Sequence, residues 1–324
     1  MYSDQQASVF LQQKMKVASA TDRLKIVTAI ANRGLEMMTH RFGNWAVQRC
    51  LESPCTREDR SRLVAVMEGH VVELATNCYG THVIQKALDC EQDIKLLVLT
   101  ELLMSDPYAT LMNKHAAHVW SRIMELNWPE PAPPIFQCVN TALKGRWVDL
   151  ACHETGSLVV QHAFENLDEA DTRDLVGEVL QHFDRIVCDP WGSWVVQHLL
   201  EHGAEDDRSR ALGLLLEALH IYSTDAQAYK SIEKAIKCGG PEVLDRIVSR
   251  LCEPGSSKRR AMLVDLALNS VGSQLIAQIL PSVNKEQGTT LYDSIKKHVV
   301  TLKGSKSGSR VTWLFDKMRA YYGY

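Results

Sequence analysis

The feature that most constrains this chain is that it repeats itself. The window FGNWAVQ at 42–48 returns as YGTHVIQ (79–85), HAAHVWS (115–121), TGSLVVQ (155–161), WGSWVVQ (191–197), QAYKSIE (227–233), VGSQLIA (271–277) and SGSRVTW (307–313). The small second residue of each window is Gly43, Gly80, Ala116, Gly156, Gly192, Ala228, Gly272 and Gly308, at steps of 37, 36, 40, 36, 36, 44 and 36 residues. A period of this size is the mark of a repeat architecture. One unit cannot bury its own apolar face, and stacked neighbours close a continuous core.

Three residues ahead of each small residue stand His40, Asn77, Asn113, His153, Asp189, Asp225, Asn269 and Ser305. Six of these eight are preferred N-caps, whose oxygens accept from free N–H groups in a helix's first turn. Pro190 follows Asp189, where a helix tolerates proline best. A helix is therefore predicted at each copy. The small residue lies in its first turn, where a larger side chain would block packing against a neighbouring repeat. The stretches between copies, such as 57–77 and 168–189, have apolar residues every three or four positions, and none alternates as a strand does. The expected fold is all-α, an α-solenoid of eight units with two or three helices each. The proline-rich segment 127–136 and the segment EPGSSKRR (253–260) read as insertions that explain the two long steps, and residues 1–20 read as an N-terminal cap.

Composition excludes several function classes. The formal charge is -3 and the pI about 6.5, so the whole chain is no general binder of polyanions; a polyanion would need a local stripe and specific contacts. Nine cysteines without a C-x-x-C pair, among them Cys50, Cys138, Cys188 and Cys252 in apolar helical pattern, read as reduced thiols. With no apolar run of ~18 residues and no signal pattern in MYSDQQASVF, the expected location is cytoplasmic, with no membrane contact. The abrupt helix-like start reads as a domain cut from a longer chain. There is no P-loop or nucleophile elbow, and HETGS (153–157) lacks the second histidine of a zinc helix. His115 and His118 have metal-compatible spacing but no further ligands nearby in sequence. No enzyme, cofactor or metal is expected.

The repeated face points to a ligand. In each window the third and fourth residues after the small one are mostly apolar and read as core, whereas the first, second and fifth fall within an arc of about 100°. In repeats one, two, four and five these are Asn44, Trp45, Gln48; Thr81, His82, Gln85; Ser157, Leu158, Gln161; and Ser193, Trp194, Gln197. A flat side chain stacks on an unpaired base while an amide or hydroxyl pair addresses its edge. The predicted base-edge residues are these small polar residues and glutamines, with Ser121 and Glu233. The predicted stacking residues are Trp45, His82, His118, Leu158, Trp194, Lys230 and Arg310. Arg49, Lys86, Arg122, His162, His198 and Lys234 follow the fifth position and read as a weakly basic stripe beside this row. Lys296, Lys297, Lys303, Lys306 and Arg310 read either as phosphate contacts or, preferably, as a solvated surface.

On these windows the chain resembles the Pumilio (PUF) family of RNA-binding repeat proteins, over almost its whole length. The resemblance implies one Pumilio homology domain over 1–324, a right-handed crescent of eight three-helix repeats at about 21–318 with terminal caps. It also implies single-stranded RNA on the concave side, antiparallel, with repeat one at the 3′ end. Protein effectors would sit on the convex face, and the role would be control of messenger RNA translation, decay or location. Asn44 with Gln48 resembles the uracil-reading pair. Thr81, Ser157 and Ser193, each with its glutamine, resemble the adenine-reading arrangement. Repeats six to eight offer Tyr229/Glu233, Ser273/Ala277 and Ser309/Trp313 in place of the family's Asn–Gln, Ser–Glu and Asn–Gln. The expected target is therefore A/U-rich RNA without UGU. The alternative is a helical-repeat scaffold for protein partners, as in HEAT or armadillo arrays.

Overall fold

A computed structural model describes residues 4–52, 55–167, 169–255 and 260–322. They form two compact units, residues 1–166 and 167–324, divided between repeats four and five.

The first unit opens with α1 (Gln5–Val17), which buries Ser8 and Met15 and packs on α4. This helix lies within residues 1–20, the segment expected to form an N-terminal cap, of which residues 1–3 lie outside the described residues. Each repeat then supplies a first helix, a short second helix and a third helix that carries the repeated window. Repeat one is α2 (Ala20–Ala31), α3 (Gly34–Met38) and α4 (Gly43–Leu51). Repeat two is α5 (Arg57–Met67), α6 (Val71–Thr76) and α7 (Gly80–Ala87). Repeat three is α8 (Gln92–Met104), α9 (Pro107–Met112) and α10 (Ala116–Glu125). Repeat four is α11 (Ile135–Leu143), α12 (Trp147–Ala151) and α13 (Gly156–Asn166). The third helices α4, α7, α10 and α13 pack in sequence, each on the next, so their windows form one row. The insertion predicted at 127–136 ends at Pro134, because Ile135 and Phe136 already belong to α11 and Phe136 is buried.

The second unit follows the same plan. Repeat five is α14 (Glu169–Gln181), α15 (Phe183–Cys188) and α16 (Gly192–His202). Repeat six begins with α17 (Glu205–Glu217) and α18 (Leu219–Tyr222). Then comes α19 (Ala228–Cys252), broken at Gly240 with φ 66° and ψ −161°. Glycine reaches that conformation without a Cβ clash, and Pro241 restarts a helix with its fixed φ. Residues 228–239 thus complete repeat six, and 241–252 begin repeat seven with no connecting loop. Repeat seven continues as α20 (Met262–Leu268) and α21 (Ser270–Ile279). Repeat eight is α22 (Lys285–Ile295), α23 (Val299–Lys303) and α24 (Lys306–Tyr322). Within this unit α16, α19, α21 and α24 again pack one on the next. Of the predicted insertion 253–260, residues 256–259 lie outside the described residues; its flanks Pro254 and Ala261 pair as an isolated bridge.

The core is where the window pattern placed it. Ala46, Val47, Val83, Ile84, Val119, Trp120, Val159, Val160, Val195 and Val196 are all buried. Among the described residues no single helix is long and apolar enough to cross a membrane.

Candidate nucleic-acid interface

Each third helix is started by the same local device. Asn77 Oδ1 accepts from the N–H groups of Tyr79 and Gly80 at 2.8 and 2.9 Å. Asp189 Oδ1 accepts from Trp191 and Gly192, both at 2.8 Å. Asn113, Asp225 and Asn269 repeat the pattern, and Ser305 Oγ accepts from Gly308 at 3.0 Å. The two histidines of the column cap as well. His40 Nδ1 takes the N–H groups of Phe42 and Gly43 at 3.2 and 3.3 Å, and His153 Nδ1 takes those of Thr155 and Gly156, both at 3.3 Å. An accepting Nδ1 carries no proton, which leaves the ring proton on Nε2. A rule that names only Ser, Thr, Asp and Asn as caps passes these two over.

The small residue has a different neighbour from the one predicted. A Cβ on Gly43, Gly80, Gly156 or Gly192 would lie 2.7, 2.6, 2.6 or 2.4 Å from the carbonyl oxygen of Met37, Leu74, Leu150 or Ile186. That oxygen is six residues earlier, on the short second helix of the same repeat. The close approach therefore fixes the angle between second and third helices inside a repeat, and is not a contact between repeats.

The cap and the close approach aim the window outward, but its three polar positions are not equally exposed. Asn44, Thr81, Ser157 and Ser193 are at most 2% exposed. The side-chain amide of Asn44 donates to the carbonyls of His40 and Arg41 at 2.8 and 2.9 Å, and the Thr81 hydroxyl donates to the carbonyl of His115 at 3.0 Å. The expectation that each triple lines up at the surface is corrected here: the first member lies beneath the other two. In repeats one and two its side chain holds the glutamine, and in repeat five its main-chain carbonyl does. Gln48 Nε2 donates to Asn44 Oδ1 at 2.8 Å, Gln85 Nε2 to Thr81 Oγ1 at 3.2 Å, and Gln197 Nε2 to the Ser193 carbonyl at 3.0 Å. One N–H of each half-buried glutamine is tied back, which leaves its carbonyl and second N–H for a ligand. Beside them Trp45, Leu158 and Trp194 are 38, 50 and 47% exposed, and His82 and His118 are exposed too. Phe42 meets Trp45 edge to face at 5.7 Å between centroids, which braces that indole.

Ser121 and Glu233 occupy the fifth position in repeats three and six and are half-buried. Glu233 accepts from Lys237 at 2.7 Å, and Lys230 donates to Gln227 at 2.9 Å. Arg310 is exposed. The two cations predicted to act alike therefore differ, with Lys230 tied to its own helix. Partial burial and the neighbours Lys114, His118 and His82 hold the His115 imidazole below the ordinary histidine range. Among the described residues no three His, Cys, Asp or Glu side chains gather as a metal site.

The predicted basic stripe is not a free basic surface. Arg49 pairs with Glu52; Lys86 bridges Glu52 and Asp89 at 3.2 and 3.4 Å; Arg122 bridges Asp89 and Glu125 at 3.0 and 3.4 Å. His162 lies 3.9 Å from Glu165, the His198 ring meets that of His202 tilted at 5.5 Å between centroids, and Lys234 pairs with Glu201. Glu52, Asp89, Glu125, Glu165 and Glu201 all stand nine residues after the small residue, a column outside the seven-residue window. Charge is balanced along this edge. Burial works against it, yet Arg122 and Lys86 hold the Asp89 carboxyl below the usual range.

Comparison with known proteins places this geometry. The model of the Pumilio-family RNA binding repeat matches residues 3–31, 34–67, 70–103, 146–180 and 182–213. Meiotic coiled-coil protein 2 of Schizosaccharomyces pombe is 39% identical over 316 residues, 97% of this chain and 45% of that protein. Meiotic PUF family protein 1 of the same organism is 34% identical over 318 residues, 98% of this chain and 55% of that protein. The chain thus spans about half the length of the curated relatives it matches. Among solved structures, PUF-8 in complex with PBE-RNA superposes with a TM-score of 0.86 at 23% identity, covering 98% of this chain and 91% of that one. The Puf4 RNA binding domain bound to an HO endonuclease RNA 3′ UTR recognition sequence gives 0.80 at 22% identity, covering 97% of each. The matched repeat segments skip 104–145 and end at 213. The segments between and beyond hold α10 and the windows of repeats six to eight, which depart most from the pattern of repeats one, two, four and five.

Proposed function

The chain belongs to the Pumilio family of RNA-binding repeat proteins, and on that premise we propose that it binds single-stranded RNA sequence-selectively through its third helices. The observation that carries this reading is the recurrent pair of an exposed flat side chain and a glutamine held by the buried polar residue beneath it, as in Trp45 with Gln48 on Asn44, and His82 with Gln85 on Thr81. An edge-reading group fixed before binding loses less conformational freedom on contact. A glutamine with a free carbonyl and N–H suits a base edge, and the flat neighbour suits its face.

The preferred RNA is A/U-rich. Read antiparallel from repeat five to repeat one, the order is A, A, an unassigned base at repeat three, A, then U at the 3′ end. Repeats six to eight extend the array without selecting UGU. The protein acts as a non-catalytic cytoplasmic regulator of messenger RNA translation, decay or location. Residues 1–324 work as one Pumilio homology domain that displays its outer helices to protein effectors. Selection from random RNA with the wild-type protein and with an Asn44→Ser, Gln48→Glu variant tests the reading. The wild type is expected to return A/U-rich sequences, and the variant to shift the 3′ base from U towards G. Selection with no base preference, alongside binding to protein partners, would favour the scaffold alternative.

A further inference from the structure

The exposed face of α24 carries a stripe in which the second and fifth positions of the repeat-eight window, Arg310 and Trp313, are continued by cations that lie outside the window. Lys306, Arg310, Trp313 and Lys317 are spaced four, three and four residues apart, which sets them along one side of the helix, and Tyr321 extends the line by a turn. All five are exposed; Trp313 is 59% exposed and Tyr321 84%. The Lys317 ammonium lies 5.5 Å from the Trp313 ring centroid. Val311, Thr312, Phe315 and Met318 on the other side are buried in the unit.

Among the described residues no carboxylate pairs with Lys306, Arg310 or Lys317. Repeats one to five differ sharply. There the position nine residues after the small one is Glu or Asp, and the neighbouring cations are neutralised; in repeat eight that position is Lys317. The one acidic residue of α24, Asp316, lies about 100° round the helix from Lys317. A solvated helix face gains nothing from an exposed indole between unpaired cations. A flexible polyanion with flat bases would use both, through phosphate neutralisation and stacking. An anionic lipid surface fits less well, because an interfacial helix needs a free apolar face and that of α24 is already buried.

We propose that this face is a base-indifferent grip on single-stranded RNA, in which Trp313 stacks on any base while Lys306, Arg310 and Lys317 neutralise the flanking phosphates. The proposal rests on the RNA reading above and adds an unselective contact to the selective ones.

The test compares octamers of rU, rA and rC, measured at about 50 and about 200 mM salt, with the wild type, Trp313→Ala, Trp313→Phe and a double Arg310→Ala, Lys317→Ala variant. Thermal unfolding checks that each variant is folded. Trp313→Ala is expected to weaken all three homopolymers roughly tenfold and by similar factors, and Trp313→Phe to recover most of that loss. The double variant should reduce the salt slope by about 1.4. A loss confined to one base, or no loss on any homopolymer, overturns the proposal. So does Trp313-dependent binding to vesicles of phosphatidylcholine and phosphatidylserine without an effect on RNA. A wild-type protein lacking A/U selectivity would count against the reader columns, but not against this stripe if homopolymer affinity still depends on Trp313.

Discussion

Trp45 and Trp194 stand exposed, and the fold does not depend on their outer faces. Replacing either with alanine is expected to weaken binding to an A/U-rich RNA by about tenfold or more with little change in melting temperature, since stacking is worth roughly 1–3 kcal/mol per base. Unchanged affinity in both variants would sink the stacking role. The glycines give an independent check on packing. Gly192→Ala presses a methyl group to 2.4 Å from the Ile186 carbonyl and should cost roughly 1–3 kcal/mol. Gly177→Ala, in α14 with nothing within 4 Å, should instead stabilise by up to about 1 kcal/mol. Denaturant melts that rank the two in the opposite order would refute the close approach. At His115 the folded protein binds its proton less readily than the unfolded chain. As pH falls through the ordinary histidine pKa of about 6.5, the unfolded state takes up the proton first and stability declines. Nearby phosphate would favour the charged ring, so NMR titration of His115 should show its pKa rise when RNA is added; a value that RNA leaves unmoved would place the RNA elsewhere.

At the scale of the helix, the sequence was legible where the structure is local. The cap column, the small residue and the paired apolar positions all lie within one helical turn or two, so the 36-residue period exposed them directly. Less was visible where function depends on a partner outside the window. The acid column Glu52, Asp89, Glu125, Glu165 and Glu201 lies four residues, about one turn, beyond the window's end, and without it Arg49, Lys86 and Arg122 look like free cations. The burial of Asn44 beneath Gln48 follows from side-chain geometry that spacing does not reveal. The break at Gly240, where repeats six and seven join without a loop, lies outside the repeated window and has no signal in the period. One consequence is testable. Asp89→Asn removes the shared partner of Lys86 and Arg122. The cost in stability should be small, about 0–1 kcal/mol, because the pairs are partly exposed. RNA affinity should rise modestly at low salt, because one negative charge leaves this edge and Lys86 and Arg122 each keep a single carboxylate partner, Glu52 and Glu125. A fall in affinity would show that Asp89 positions a reader instead.

At the scale of the molecule, charge and reading capacity are distributed unevenly along the repeats. Repeats one, two, four and five carry the glutamines proposed as readers, and along repeats one to five the basic edge is flanked by a carboxylate column. Repeats six to eight lack these glutamines, and repeat eight carries unpaired cations and the exposed Trp313. The net charge of -3 hides this division, which is why composition alone says little about RNA. The most direct measurement of the central claim is the affinity ratio between an A/U-rich octamer and a C-rich octamer of equal length, at about 50 and about 200 mM salt. The wild-type protein is expected to prefer the A/U-rich RNA at least about tenfold at both salts, since base-edge contacts are not screened as phosphate contacts are. A Gln48→Ala, Gln85→Ala, Gln197→Ala variant should lose that preference while keeping much of its salt-dependent affinity. Equal affinity of the wild type for both RNAs, or a preference that the triple variant retains in full, would contradict it.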